Sequence, residues 1–229
     1  MREEMIIKQD SLQLAGHLSY EKNSRAWVIF AHGSGSSRHS SRNNWVAGEL
    51  NRRGYGTFLF DLLTPEEDQE RANRFDMALL AGRLTLATDW LVESHHYEGQ
   101  PLIYFGASTG AGAALKASAI ADPKWPLLGV ISRGGRPDLA GDEDLSEVRL
   151  PVLLIVGSRD EEVIKLNRMA LAALDNGEMK LVEGATHLFE EEGTLQEVVN
   201  LSLEWLERHV GGRREVMEQS HLNKGERHV

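Results

Sequence analysis

Apolar and polar positions alternate along this chain in two different periods. From Met5 to Tyr20, short apolar stretches flank Asp10-Ser11, a pattern that predicts a hairpin turning at those two residues. RAWVIFAHG follows, with an unbroken apolar run from Ala26 to Ala31 that ends in a histidine and a glycine. Such a run suits a strand buried on both faces. YGTFLFD (Tyr55–Asp61), PLIYFG (Pro101–Gly106), LLGVIS (Leu127–Ser132), PVLLIVG (Pro151–Gly157) and EMKLVEG (Glu178–Gly184) read the same way. The pattern amounts to about eight strands, the first two forming the hairpin.

Helical periods lie between these runs. From Phe75 to Trp90, the residues Phe75, Leu79, Leu86 and Trp90 are read as the apolar face. From Thr194 onward, Leu195, Val198, Val199, Ser202, Trp205 and Leu206 recur at helical spacing. Ser108 to Ala119 is rich in Ala and Gly, which lets a helix lie close to a sheet. Strands alternating with helices predict an α/β architecture: a mostly parallel eight-stranded sheet with helices on both faces, and the span from Arg133 to Pro151 is too short for a separate lid domain. Residues 1–210 read as one domain, and 211–229 as a polar tail, a frayed extension or expression remnant.

Composition narrows the function. The 229 residues hold 25 Lys+Arg against 35 Asp+Glu, a net charge of −10, which disfavours nucleic acid and anionic lipid as partners. Cysteine is absent, so disulfides, thiolate nucleophiles and cysteine-ligated metals are excluded. The opening MREEMIIKQD lacks the apolar run of a secretory signal, and no stretch suits a membrane span; the expected compartment is the cytoplasm. There is no H-E-x-x-H, and His95-His96 are read as pointing to different helix faces, so no metal is expected.

In a parallel sheet, sites form at the carboxyl ends of the strands. One such end reads Gly106-Ala107-Ser108-Thr109-Gly110, a G-x-S-x-G directly between a strand and a helix. The reversal strains the serine backbone and leaves no room for side chains two residues away on either side. The same residues also fit G-x-x-x-G-x-G through Gly112, the spacing of the dinucleotide loop in short-chain dehydrogenases. Three features weigh against that alternative. About a hundred residues precede the loop, no tyrosine has a lysine four residues later, and too little chain follows for a dinucleotide fold plus a substrate site.

A serine nucleophile needs a base held by a carboxylate, in the chain order Ser, acid, His. Asp160 follows the strand PVLLIVG, and His187 follows the next one. Of the nine histidines, only His187 lies beyond Ser108 and outside the last helix and tail. Each residue has a plainer role open to it: Asp160 as a helix cap, His187 as a packed loop histidine. Glu161 and Glu162 are the alternative acids, placed inside the following helix. Backbone donors for a developing oxyanion are expected at Thr109 and at Ser34 in the glycine-rich His32–Ser37 loop, each worth about 3 kcal/mol.

Together these residues make the chain resemble an α/β hydrolase of the dienelactone hydrolase-like family, from about Met5 to Val210. The markers are HGSGSSRHS, FDLLTPEE, GASTGAG, SRGGRPDLAG, LLIVGSRD and GATHLFEE. The resemblance implies Ser108 as nucleophile, Asp160 as acid and His187 as base, without a cofactor. Better-studied dienelactone hydrolases use cysteine, so the expectation here is hydrolysis of a small ester or lactone. Some members of this branch are joined to a phosphoribosyltransferase domain; this chain carries no diphosphate loop of the acidic-pair type, and that activity is not expected. A cofactor-free perhydrolase or acyltransferase, or a silent binding protein, remain the alternatives. Arg38, Arg133 and Arg136 sit near the expected site, where they either attract a carboxylate-bearing substrate or pair with neighbours such as Asp138 and Glu67. Oligomeric state is left open.

Overall fold

The computed structural model describes residues 1–211. The expectation for the tail therefore falls, from residue 212 onward, outside the described residues. Eight strands form one sheet in the order β1-β2-β4-β3-β5-β6-β7-β8. The hairpin β1 (Arg2–Gln9) and β2 (Leu12–Ser19) is antiparallel, and β2 runs antiparallel to β4 (Gly56–Phe60). From β4 through β3 (Trp27–Ala31), β5 (Leu102–Ala107), β6 (Leu127–Arg133), β7 (Val152–Gly157) and β8 (Gly177–Val182), every pairing is parallel. The strands from β3 to β7 are almost wholly buried, as their unbroken apolar runs require.

Two apolar layers flank the sheet. On one face α1 (Ser41–Arg52) and α6 (Thr194–Leu206) cover a core that includes Phe30, Phe105, Ile131 and Trp205. On the other, α2 (Met77–Glu93), α3 (Thr109–Ala119) and α4 (Asp142–Glu147) cover a core that includes Trp27, Phe58, Tyr104 and Leu154. α5 (Glu161–Ala173) connects β7 to β8.

The face expected for α2 is not the one it buries. Met77, Leu80, Ala81, Leu84, Ala87, Thr88 and Leu91 point inward, whereas Phe75 precedes the helix and is exposed. Leu79, Leu86 and Trp90 only flank the core. This helix has apolar residues on more than one stripe, and the neighbour decides between them. Thr88 bonds the Tyr104 hydroxyl at 2.9 Å, fixing the smaller-residue stripe against β5. His95 and His96 also differ from expectation. They lie beyond the helix end at Glu93, and their ring centroids are 3.9 Å apart.

The chain reverses winding between β3 and β5, and a crevice opens there at the strands' carboxyl ends. Close packing at this point demands two glycines. A Cβ on Gly106 would stand 2.4 Å from the Ala111 Cα, and one on Gly110 would stand 2.2 Å from the Ala31 carbonyl oxygen. Neither neighbour is a flexible side chain. Gly110→Ala should therefore destabilise the fold by about 3 kcal/mol, read as a lowered denaturation midpoint; an unchanged midpoint contradicts this packing.

Burial also predicts acid sensitivity. Desolvation lowers the pKa of His17, His32 and His96 below the ordinary 6.5. The unfolded chain thus takes up protons at these sites before the native one does. Stability is unaffected above about pH 6.5 and declines as pH falls below it. Thermal unfolding between about pH 7.5 and 5.5 should show Tm decreasing over the lower half of that range; a flat profile is the contrary result.

Candidate active site

Ser108 joins β5 to α3 with φ 51° and ψ −122°, the positive-φ backbone expected of a serine lifted out of a sharp strand-to-helix turn. Backbone bonds hold it there. Its N–H donates to the Arg133 carbonyl at 3.3 Å, and its own carbonyl accepts from Arg136 N–H at 3.0 Å. The end of β6 and the loop after it therefore clamp the turn.

Asp160 follows β7 and stands at the N-cap position of α5, yet its side chain makes no capping bond. Instead its Oδ2 lies 2.7 Å from Nδ1 of His187, and Nε2 of the same ring lies 3.3 Å from the Ser108 hydroxyl. Because a carboxylate only accepts, Nδ1 carries the proton, and Nε2 presents its lone pair to the serine O–H. Two bonds bring the supporting loops together: Arg159 N–H donates to the Ala185 carbonyl at 2.9 Å, and Gly184 N–H to the Ser158 hydroxyl at 2.8 Å. Glu161 and Glu162, the alternative acids, are exposed in the first turn of α5.

The loop after β3 contributes a peptide held at both ends. His32 is buried and neutral, with its pKa lowered by desolvation. Its Nε2 accepts from Leu62 N–H at 3.0 Å, so Nδ1 carries the proton and donates to the Gly33 carbonyl at 3.0 Å. The Ser34 N–H, at the opposite end of that trans peptide, donates to the Thr109 hydroxyl at 2.7 Å. Thr109 N–H stands at the first position of α3, where no intrahelical acceptor exists. Of the two expected oxyanion donors, one is therefore open, and the other rests on a neighbouring side chain.

A cleft of about 260 Å³ is lined by Ser108, His187, Gly33, Ser34, Arg42 and Arg133, among others. The three arginines singled out from sequence part company here. Arg38 is paired with Asp61, and Arg136 with Asp138 at 2.7 Å; neither lines this cleft. Arg133 does line it and has no carboxylate partner among the described residues. Arg42 and Asn43 also belong to the wall and were not singled out from sequence. They lie in the first turn of α1, a segment whose place over the crevice is set by tertiary packing. Among the described residues, no group of three or more His, Asp or Glu side chains converges as a metal site. None of the described helices is long and apolar enough to cross a membrane.

Residues 24–204 match the family model described as "Alpha/beta hydrolase domain". A solved structure of dienelactone hydrolase from Anabaena variabilis is 43% identical, with a TM-score of 0.86, covering 91% of this chain and 98% of that one. An alpha-beta serine hydrolase homologue from Coxiella burnetii shares the fold at 22% identity, with a TM-score of 0.74 over 89% of this chain and 97% of that one. A Mycobacterium tuberculosis (strain H37Rv) protein provisionally named phosphoribosyl transferase is 52% identical over 211 residues, 92% of this chain but 47% of the relative. The chain thus spans about half the length of the curated relatives it matches, and that name describes the longer protein. With its nucleophile-type turn, sheet order and these matches in agreement, the chain belongs to the alpha/beta hydrolase family.

Proposed function

We propose that this protein is a serine hydrolase that cleaves a small carboxylic ester or lactone through an acyl-serine intermediate. The observation that carries this reading is the hydrogen-bonded order Asp160–His187–Ser108, at 2.7 and 3.3 Å, beside the cleft. In the reaction, Nε2 of His187 takes the Ser108 proton as the hydroxyl oxygen attacks the substrate carbonyl. The tetrahedral oxyanion accepts from Thr109 N–H, and from Ser34 N–H as that group turns from the Thr109 hydroxyl to the stronger, charged acceptor. The carbonyl re-forms, the bond to the alkoxy oxygen breaks, and His187 protonates the leaving alcohol. Water then repeats the sequence on the acyl-serine, with His187 accepting its proton and returning one to Ser108. Asp160 fixes the imidazole tautomer and stabilises the imidazolium throughout.

A fluorophosphonate probe should label the wild-type protein at Ser108 and leave Ser108→Ala unlabelled, with peptide mapping as the readout. On a short 4-nitrophenyl ester, Ser108→Ala should lose about 10⁴–10⁶-fold in kcat. Turnover near the wild-type level in that variant would remove the proposal. Asp160→Asn should leave the fold intact while lowering kcat by roughly 10³–10⁴-fold, since the ring then loses its proper tautomer. A loss under tenfold would show that another group supports His187.

A further inference from the structure

β8 ends the sheet, and no strand lies beside its outer edge among the described residues. The ladder with β7 determines which backbone groups face outward. Val152 N–H donates to the Asn176 carbonyl and Ser158 N–H to the Val182 carbonyl, each at 2.9 Å. Backbone groups alternate in direction along a strand, so Glu178, Lys180 and Val182 turn theirs toward β7. Gly177, Met179 and Leu181 turn theirs to the free edge, and no hydrogen bond to those groups is found among the described residues. Leu181 is also 46% exposed, so an apolar side chain borders this edge. A strand edge left open in this way is a template for another strand.

Charge selects the partner and its register. Only outward-turned residues can exchange hydrogen bonds across the new edge, so an antiparallel copy of β8 must set Gly177, Met179 and Leu181 opposite one another. A two-fold pairing centred on Glu178 puts carboxylate against carboxylate, and one centred on Lys180 puts ammonium against ammonium. Centred on Met179, Glu178 of each copy lies directly opposite Lys180 of the other, in the pairs where side chains approach most closely. The same register sets the exposed Leu181 opposite Gly177, which has no side chain to obstruct it, and closes about six backbone hydrogen bonds. We propose that the free edge of β8 pairs with β8 of a second copy of this chain, antiparallel and centred on Met179, joining two sheets into one. This pairing lies at the end of the sheet and is independent of the hydrolase reading.

Light scattering on the full chain at about 50 μM should give twice the chain mass, with dissociation on dilution. Lys180→Glu puts a carboxylate opposite Glu178 of the other copy, and Glu178→Lys puts an ammonium opposite Lys180. Each change alone should weaken dimerisation by roughly tenfold or more. Mixing the two single variants sets opposite charges across both pairs and should restore association as a heterodimer, which a folding defect in either variant cannot imitate. The double variant Glu178→Lys with Lys180→Glu should likewise dimerise with itself. Amide exchange at Gly177, Met179 and Leu181 should slow as wild-type concentration rises, and should not do so in Lys180→Glu. A wild-type chain that stays monomeric overturns the pairing, and if those amides are nonetheless slow, another part of the chain covers the edge. A dimer untouched by Lys180→Glu also overturns it, as do a mixture and a double variant that both remain monomeric.

Discussion

The close approach of α3 to the sheet is the constraint on which the rest depends. With Gly106 facing the Ala111 backbone and Gly110 facing the Ala31 carbonyl, the helix can start immediately after β5, with Ser108 the single residue between them. The turn has an energetic cost, because a serine at φ 51° is outside its favoured region. It persists because the surroundings over-determine it. Backbone bonds from Arg133 and Arg136 grip Ser108 on one side, and the helix packs on the other. The strain is thus supported by the same sheet that positions Asp160 and His187 after the ends of β7 and β8.

The Gly33–Ser34 peptide illustrates a second kind of organisation. His32 holds the carbonyl end and Thr109 receives the N–H end. A peptide fixed at its carbonyl can rock about that bond without leaving its place, which is a small motion compared with rebuilding a loop. The resting bond to a neutral hydroxyl is weaker than one to a negatively charged oxygen. The Ser34 N–H is therefore held in place by a bond that a charged acceptor could displace. Because Nε2 of His32 is occupied by Leu62 N–H, protonating this ring would set two like dipoles against each other; burial disfavours that state.

Much of this arrangement was legible in the sequence, for definite physical reasons. A strand buried on both faces has to be apolar throughout, so the runs ending at Ala31, Gly106 and Gly157 announced both the strands and their carboxyl ends. The glycine spacing around Ser108 encoded a steric requirement that few other local structures share. What sequence could not supply was the choice among near-equal partners. In α2, apolar residues on several stripes left the buried face to be selected by Tyr104 and the core. Arg38, Arg133 and Arg136 looked alike as basic residues near strand ends, and only the positions of Asp61 and Asp138 separate two of them from the third. Arg42 and Asn43 escaped notice because their relevance comes from α1 lying over the crevice, a tertiary fact with no local signature.

That separation gives the cleft its electrostatic character. The chain as a whole is acidic, at −10, so its field at a distance repels anions. The surface is populated with pairs such as Lys116–Asp144 and Arg83–Glu67, which cancel locally and contribute little beyond their own neighbourhood. Against that background, Arg133 differs in being buried while its side chain bonds only an amide oxygen among the described residues. Filling its place with a protein carboxylate would lower the cost of burying it, and Asn43 is one atom type away from doing so. The asparagine keeps the guanidinium oriented while leaving its charge uncompensated by any carboxylate among the described residues.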